Sequence, residues 1–360
     1  MNFEDFILAP PKKNFEKWQL GSLLVEDLPE NGVAILVVSD LRGAEKGEAK
    51  VDLEGFRKEL YQLSKSDLSL PIFDLGNLIS GNSYQNTHYI LQEVLSACHY
   101  KKTIPIIVGG SSDLSFSLFS ALNFHQKNIN FTQISNKVHI ADNGEELSEK
   151  NFLSRLFSSK NFSLKHYTHL GYQRHLNDEN SVKLIKEVDF DIVRLAEMIK
   201  DPADIEPFFR RAHLATVNAD AVESFGQPFS IDPQVNGLNR REICTYMKEI
   251  GLSENLQSLG IFNLNLETDS VLNHQLLAQM IWYFLEGLMI QNSHPKDKNT
   301  EIFYVLSDDE KFTFQKETFS NLWYFGEDAD LEKCIPCSFN DYINAKSGNI
   351  NPRLQKAQLL

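Results

Sequence analysis

The sequence predicts an α/β fold in which a mostly parallel central sheet lies between two layers of helices. Two observations lead to this prediction. The β-rich apolar runs are continuous instead of alternating with polar residues, and segments with helical periodicity separate them. Continuously apolar strands are buried on both faces, and strands that alternate with helices form parallel sheets covered on each side. The sequence contains no internal repeat or long low-complexity linker, so we expect one main domain.

The first half of the chain starts this alternation. Gly32–Val38 (GVAILVV) is a strand that ends at a polar Ser-Asp pair, and Leu70–Leu75 (LPIFDL) is a second strand that ends at a glycine. Asn86–Tyr100 is predicted as a helix because its apolar residues recur on one face. Ile104–Val108 is the next strand, and the two glycines after it lead the chain into another helix.

The remaining body continues the pattern. Further strands are predicted at Lys137–Ile140, Tyr167–Tyr172, Asp191–Leu195, Leu214–Val217 and Leu256–Leu266, with a short closing strand at Ile302–Leu306. Each run is short, apolar and bounded by polar or turn residues, which is typical of a buried strand. Helices are predicted at Arg240–Ile250 and His274–Ile290. The second is apolar all round, which indicates a helix packed on both sides.

The last part of the chain differs from the body. Residues 309–360 are expected to form a C-terminal extension packed on a domain of residues 1–308. Phe312–Phe314 and Trp323–Phe325 are aromatic runs separated by polar residues, which predicts a hairpin. Pro336–Pro352 is predicted to be irregular. Cys334 and Cys337 form a CxxC pair, but a zinc site needs a second pair, so two buried thiols are the expected interpretation.

The composition argues against several classes of partner. The formal net charge is −14, from 35 Lys and Arg against 49 Asp and Glu, whereas a nucleic-acid partner requires clustered cations. No run reaches the roughly 18 apolar residues of a membrane span, and the N-terminus lacks the pattern of a secretory signal. We therefore expect a cytoplasmic protein that binds neither nucleic acid nor membrane.

Three polar segments follow predicted strands and form the candidate site. They are VGGSSDLS (Val108–Ser115), HIADNGEEL (His139–Leu147) and TVNADAVE (Thr216–Glu223). Ligands bind outside the carboxyl ends of the strands in parallel sheets. The sequence has no GxSxG, GxxxxGK[ST] or GxGxxG motif and no HxxxH or HExxH pair. The histidines, including His139, are interpreted as partly buried structural residues.

The order of several further motifs resembles one enzyme family. Ile104–Gly110 (IPIIVGG) is similar to that family's "iPIvlGG" strand, His169–Arg174 (HLGYQR) resembles "hiGiR", and Gly237–Glu242 (GLNRRE) is similar to "GGLtxrE". The chain therefore resembles the arginase, agmatinase and formimidoylglutamase family, the ureohydrolases, over most of residues 30 to 290. The formimidoylglutamase branch is the nearest group. The resemblance implies a three-layer arginase-like fold and self-association into homo-oligomers.

The resemblance also implies a metal chemistry. In that family two manganese ions bridge a hydroxide that attacks a guanidinium or amidine carbon, because the two cations lower the pKa of the bridging water. The ligand motifs GGDHS, DAHxD and SxDxD fall on the three polar segments. Their metal-binding positions correspond to Ser112, Ala141, Asn143, Glu145, Asn218 and Asp220. Only Asp220 is retained, with Glu145 as a substitute carboxylate, and both imidazoles are absent.

Two functions are therefore considered. The favoured one is a catalytically degenerate protein without a metal cofactor, whose old active-site cleft holds a small molecule or which has a structural role. The alternative is an active metal-dependent hydrolase of C–N bonds in linear amidines, with a reorganised site that binds manganese or another divalent cation. The carboxylates available for such a site are Asp220, Glu145, Asp142 and Asp113, with Glu146 and Glu223 nearby. No catalytic residue is assigned in either case.

Overall fold

A mostly parallel sheet forms the centre of the protein. The computed structural model describes residues 3–47, 53–141, 144, 146–224, 226–307 and 310–358, and within these residues nine strands belong to this sheet. They are β1 (Ile7–Leu8), β2 (Val33–Val38), β3 (Ile72–Leu78), β4 (Ile104–Val108), β5 (Ile129–Ile134), β6 (Leu164–Tyr172), β7 (Asp191–Arg194), β8 (Leu214–Asn218) and β9 (Ser258–Phe262). Their order is β1-β3-β2-β4-β9-β8-β5-β6-β7, and β1 alone among them pairs antiparallel.

Helices cover both faces of this sheet. They are α1 (Leu53–Gln62), α2 (Tyr84–Tyr100), α3 (Leu114–His125), α4 (Phe152–Ser158), α5 (Glu179–Glu187), α6 (Leu195–Met198), α7 (Arg240–Gly251) and α8 (Val271–Asn292). In β2, Val33, Ile35 and Val37 pack with α1, α7 and α8, while Ala34 and Leu36 pack with α2, α3 and α4. This period of two follows from the strand geometry and confirms the predicted three-layer fold.

Helices α7 and α8 approach each other closely at two glycines. A Cβ atom at Gly287 would overlap the carbonyl oxygen of Lys248, and one at Gly251 would overlap the carbonyl oxygen of Phe284. The missing side chains therefore allow backbone-to-backbone packing between the two helices. The sheet, α1 and α7 all pack against α8, which accounts for its largely apolar sequence. No helix among the described residues has the length and apolarity needed to cross a bilayer.

A second sheet, which is antiparallel, follows α8. Its strands are β10 (Thr300–Ser307), β11 (Glu310–Glu317), β12 (Trp323–Phe325) and β13 (Ile335–Cys337), in that order, and α9 (Phe339–Lys346) and α10 (Pro352–Gln358) follow it. The predicted hairpin is confirmed, since Phe314 pairs with Phe325. Two predictions are wrong. Ile302–Leu306 belongs to this sheet, pairing with β11 and not with a parallel strand, and Pro336–Pro352 contains α9, which Ser338 caps.

Arg210 joins the two sheets. Its guanidinium is fully buried and stacks on the Tyr324 ring, with its carbon 4.6 Å from the ring centroid. Nη1 donates to the carbonyl oxygen of Trp323 at 2.5 Å, and the guanidinium forms a two-pronged ion pair with Glu206, in which Nε donates at 2.8 Å. The strand β12 is therefore fixed to the parallel domain through one buried cation.

The predicted strand at Lys137–Ile140 is also wrong. Those residues form a loop, and the strand is β5, Ile129–Ile134. Polar Thr132 and Gln133 interrupt the apolar run of β5, although both are buried. Thr132 donates to the carbonyl oxygen of Phe208 at 3.0 Å, and Gln133 accepts from the Tyr167 hydroxyl at 2.9 Å. The correction moves His139 from a strand into a loop at the carboxyl edge of the sheet.

Candidate functional site

Four neighbouring strands direct their following loops to one place. In the order β4, β9, β8 and β5, they are followed by Asp113, Asn263, Asp220 and His139. Because the strands are parallel, their carboxyl ends meet at the same edge of the sheet. The described residues of the three polar segments identified in the sequence therefore lie at this edge, and the loop after β9 adds a fourth segment.

Asn263 lies at the centre of this edge. Its side-chain Nδ2 donates to Glu149 Oε1 at 2.6 Å and to Asp220 Oδ2 at 2.7 Å. Its Oδ1 accepts from the backbone N–H of Ser112 at 3.0 Å. A backbone N–H can only donate, so it fixes which end of the amide faces the carboxylates. The two carboxylates are thus bridged by a neutral NH₂ group.

Asp220 is almost fully buried, with 3% of its surface exposed. Burial raises the pKa of its carboxyl from 3.8 to about 7, although the hydrogen bond from Asn263 opposes the increase and the charge of Glu149 adds to it. Its other oxygen, Oδ1, accepts from the backbone N–H of Asp232 at 3.3 Å. Both oxygens therefore have hydrogen-bond donors within the protein.

Glu149 and His139 form the side of the site nearest β5. Nε2 of His139 lies 3.4 Å from Glu149 Oε1. Burial lowers the pKa of His139, while the carboxylate of Glu149 raises it in part. The backbone N–H of Glu149 donates to the carbonyl oxygen of Gly43 at 3.0 Å, which ties this loop to the loop after β2.

Asp113 is turned towards α2. Its Oδ2 accepts from the hydroxyl of Tyr84 at 2.6 Å and lies 3.2 Å from Nε2 of His88. Burial raises the pKa of Tyr84, and the charge of Asp113 raises it further, so the phenol stays protonated as a donor. The carboxylate of Asp113 is fully buried; these two residues hold its Oδ2, and its Oδ1 has no hydrogen-bond partner among the described residues.

The other predicted site positions are placed as follows. Ser112 and Asn218 are fully buried, and Asn218 Nδ2 donates to the hydroxyl of Ser135 at 3.1 Å. Ala141 is exposed, and its N–H donates to the carbonyl oxygen of Lys150. Asp142, Asn143 and Glu145 lie outside the described residues, so the proposals that involve them stay predictions.

A polar cleft of about 210 Å³ opens onto His139, Glu149 and Asn263. Its walls include Lys46, Lys137, Lys150, His139, Glu149 and Asp232. Lys137 pairs with Asp232, Lys46 donates to the carbonyl oxygen of Ile231, and Lys150 pairs with Glu45 at 2.6 Å. The ammonium groups are therefore held around the opening by partners on its rim.

Amide side chains connect the loops around the cleft. Asn136 Nδ2 donates to the carbonyl oxygen of Asp220 at 2.7 Å, and Asn177 Nδ2 donates to the carbonyl oxygens of Asn136 and Gln173, both at 2.8 Å. Gln173 and Asn236 exchange two hydrogen bonds, at 2.8 and 3.0 Å. The loops after β5, β6 and β8 are thus joined by neutral groups.

The described residues do not fit a dinuclear manganese centre. Two adjacent cations need several negatively charged oxygen ligands. Within the described ranges no three His, Cys, Asp or Glu side chains converge as metal ligands. The nitrogen of Asn263, with two hydrogens, lies between the oxygens of Glu149 and Asp220, and it repels a cation where those oxygens would bind one. We therefore derive no catalytic step through a metal.

The sequence did not indicate two central residues. Asn263 directly follows the apolar run Leu259–Phe262, but the strand predicted from the sequence, Leu256–Leu266, extends past it. The end of the apolar run is a signal that would have placed it at the edge of the sheet. Glu149 lies in a loop without a flanking pattern, so local sequence offers no signal for it.

Comparison with known proteins gives one family and several structures of the same fold. A sequence model of the arginase family matches residues 33–286. The structure of Trypanosoma cruzi formiminoglutamase with manganese superposes with a TM-score of 0.68 at 16% identity, covering 77% of this chain and 99% of that one. The structure of formimidoylglutamase from Bacillus subtilis superposes with a TM-score of 0.67 at 15% identity, and the match covers 79% of this chain and 97% of that one. The structure of proclavaminate amidino hydrolase from Streptomyces clavuligerus superposes with a TM-score of 0.64 at 12% identity, and the match covers 77% of this chain and 98% of that one.

A curated protein matches a short part of the chain. The tRNA modification GTPase MnmE of Blochmanniella floridana is 33% identical over 95 residues, which are 26% of this chain and 20% of that GTPase. The chain thus spans about a fifth of the length of this relative. Because the sequence has no GxxxxGK[ST] loop to hold nucleotide phosphates, the match carries no argument for GTP binding.

Proposed function

This chain belongs to the arginase family, and from that membership we propose that it is a non-hydrolytic member whose cleft binds a small polar ligand. The observation that carries the proposal is the position of Asn263. Its amide nitrogen donates to Glu149 and Asp220 at 2.6 and 2.7 Å, and so provides the bridge between two carboxylates that a cation would otherwise provide. The hydrogen bond from Ser112 holds the amide in that orientation.

The neighbouring positions support the same proposal. Asp113 is engaged by Tyr84 and His88 on the α2 side. Ser112 and Asn218 are neutral side chains, and neutral ligands do little to offset the charge of two divalent cations. The charge available near Asp220 is further reduced because burial raises its pKa to about 7, so the carboxyl is partly protonated near neutral pH.

The cleft supports a binding role. Three lysines and His139 surround a volume of about 210 Å³, which is smaller than the roughly 300–1,000 Å³ of a drug-sized site. A ligand with a few non-hydrogen atoms that carries both an anionic and a cationic group matches this size and a lining in which the lysines alternate with Glu149 and Asp232. Lys46 and Lys137 each have a partner at the rim, whereas the Lys150–Glu45 pair is exposed to solvent.

The first experiment measures metal content and hydrolysis. The purified chain is incubated with excess Mn²⁺, desalted, and assayed by elemental analysis and with formiminoglutamate as substrate. We expect no retained manganese and no release of product. Two retained equivalents, one retained equivalent with turnover, or turnover at any metal content would overturn the non-hydrolytic proposal.

The second experiment tests the binding role. Thermal denaturation is followed with a panel of small dicarboxylates and amino acids, for the natural chain, for Lys137→Ala in the cleft, and for Lys17→Ala, an exposed lysine outside it. We expect at least one compound to raise the midpoint temperature of the natural chain and of Lys17→Ala but not of Lys137→Ala. An equal effect on all three would contradict binding in the cleft.

A further inference from the structure

A larger cavity, of about 500 Å³, lies at the β3 end of the sheet and shares no lining residue with the cleft. It exists because the outer edge of β3 is covered only at its two ends. β1 pairs with Asn77 and Leu78, and Leu24 bridges to Ile72. Between these points, residues 73–76 have no paired strand on that edge among the described residues.

Two prolines explain why the edge stays open. Pro10 and Pro11 follow β1 closely, and neither has an N–H group to donate to β3. β1 therefore ends after Leu8, and residues 9–15 form a wall of the cavity instead of continuing the ladder.

The floor of the cavity is a buried ion pair, in which Arg57 neutralises the carboxylate of Asp74. Asp74 Oδ2 accepts from Arg57 Nε at 2.8 Å and from the Tyr61 hydroxyl at 2.5 Å. Its Oδ1 accepts from Arg57 Nη2 at 3.0 Å and from the N–H of Gly76 at 2.9 Å. All three side chains are buried, so this floor is rigid and has little free charge to attract a cation.

The walls of the cavity are largely apolar, and its rim carries charged side chains. Phe15, Leu24, Val25 and Phe73 contribute apolar surface. The charged groups at the rim are Lys12, Lys13, Lys58 and Glu26, and Lys12 pairs with Glu26 at 3.1 Å with both side chains highly exposed. Among the described residues that line the cavity, four side chains are cationic (Lys12, Lys13, Arg57 and Lys58) and two are acidic (Glu26 and Asp74), on a chain whose formal net charge is −14. A local positive potential of this kind attracts anions.

We infer that this cavity binds a small amphipathic anion, with an apolar body against Phe15 and Phe73 and its anionic group at the rim lysines. The volume lies within the range of roughly 300–1,000 Å³ typical of small-molecule sites, which combine apolar walls with a few placed polar groups. This binding site is separate from the cleft and from the function proposed for it.

The test is a titration with 8-anilinonaphthalene-1-sulfonate, followed by fluorescence. We expect saturable binding of one equivalent that weakens as salt increases. Lys58→Glu should weaken it about fivefold, because reversing one rim charge replaces an attraction by a repulsion of similar size. Val25→Trp should weaken it further by filling the cavity, and Val25 is exposed enough, at 37%, to accept a larger side chain without disturbing the core.

Controls separate this site from others. Lys17→Glu changes an exposed lysine outside both cavities, and Lys137→Glu changes the cleft; neither should alter the titration. The neutral analogue N-phenyl-1-naphthylamine should bind the natural chain and Lys58→Glu equally. The inference is overturned if the sulfonate does not bind, if Val25→Trp binds it as the natural chain does, or if Lys137→Glu abolishes binding. Circular dichroism verifies that each variant is folded.

Discussion

The side-chain nitrogen of Asn263 lies 2.7 Å from Asp220 Oδ2, and the same nitrogen lies 2.6 Å from Glu149 Oε1. One neutral amide thus separates the buried Asp220 from the half-buried Glu149. The bond donated by Ser112 to the other end of the amide prevents the group from turning over. The consequences of this arrangement can be measured.

Asn263→Asp should destabilise the metal-free protein and make it responsive to metal. The change replaces a double donor by a third carboxylate facing Glu149 and Asp220, so the free energy of unfolding should fall by about 3 kcal/mol or more. Mn²⁺ at millimolar concentration should restore much of this loss by binding the three acids. Asp adopts the positive φ of position 263 (57°) as Asn does, so the backbone adds little strain.

The measurement is thermal denaturation with and without Mn²⁺. Asn265→Asp is the matched control, since Asn265 donates to the carbonyl oxygen of Pro228 and contacts neither acid. Rescue of both variants by Mn²⁺, or of neither, would show that the amide at 263 does not replace a cation.

Asp220 should make stability depend on pH between about 4 and 7. Its folded-state pKa is raised from 3.8 to about 7 by burial, so the folded protein binds a proton that the unfolded chain releases. This contribution to stability is complete below about pH 4 and is lost as pH rises to about 7. Relative to the uncharged Asp220→Asn variant, the natural chain should lose on the order of 1–4 kcal/mol over that interval. Urea denaturation at several pH values measures the difference, and a difference independent of pH would refute the assignment.

Arg210→Met should loosen the C-terminal sheet. The substitution leaves Glu206 and the carbonyl oxygen of Trp323 without their donor, and removing one partner of a buried ion pair costs about 3–5 kcal/mol. Limited proteolysis should then cut more rapidly within residues 300–358. Arg174→Met serves as the control, because Arg174 pairs with Glu179 at the surface and its loss should cost less than about 1 kcal/mol. Equal effects of the two changes would contradict a joining role for Arg210.

Gly287→Ala should destabilise the protein, although alanine favours helices. The added Cβ would overlap the carbonyl oxygen of Lys248 and push α7 from α8, at a cost of about 1–3 kcal/mol that exceeds the helical gain of up to about 1 kcal/mol. Gln279→Ala, on the exposed side of α8, should be nearly neutral. The midpoint temperatures of the two variants measure this contrast, and a stabilised Gly287→Ala would show that the helices can separate freely.

Much of the fold could be predicted because most strands are continuously apolar. β5 could not, since Thr132 and Gln133 become compatible with burial only through partners at Phe208 and Tyr167, and local sequence does not show distant partners. Because the sequence predicts this strand at Lys137–Ile140 instead, it places His139 inside a strand and not in a loop at the edge of the sheet.

Only some residues of the candidate site could be predicted from the sequence, for a similar reason. Ser112 and Asp220 follow apolar strands and Asn218 ends one, so their position at the carboxyl edge could be inferred from order alone. Asn263 and Glu149 complete the network through contacts 43 and 114 residues apart in sequence. Such contacts depend on how the loops fold over the edge, which neither periodicity nor motif spacing encodes.

The amides that join the loops around the cleft separate its shape from its charge. Asn136, Gln173, Asn177 and Asn236 join the loops after β5, β6 and β8 through amide groups that neither titrate nor respond to counterions. The lysines and acids that line the cleft are charged, and counterions screen their fields. A change of ionic strength should therefore alter how strongly the cleft attracts a charged molecule, while the amide hydrogen bonds that join its surrounding loops stay the same.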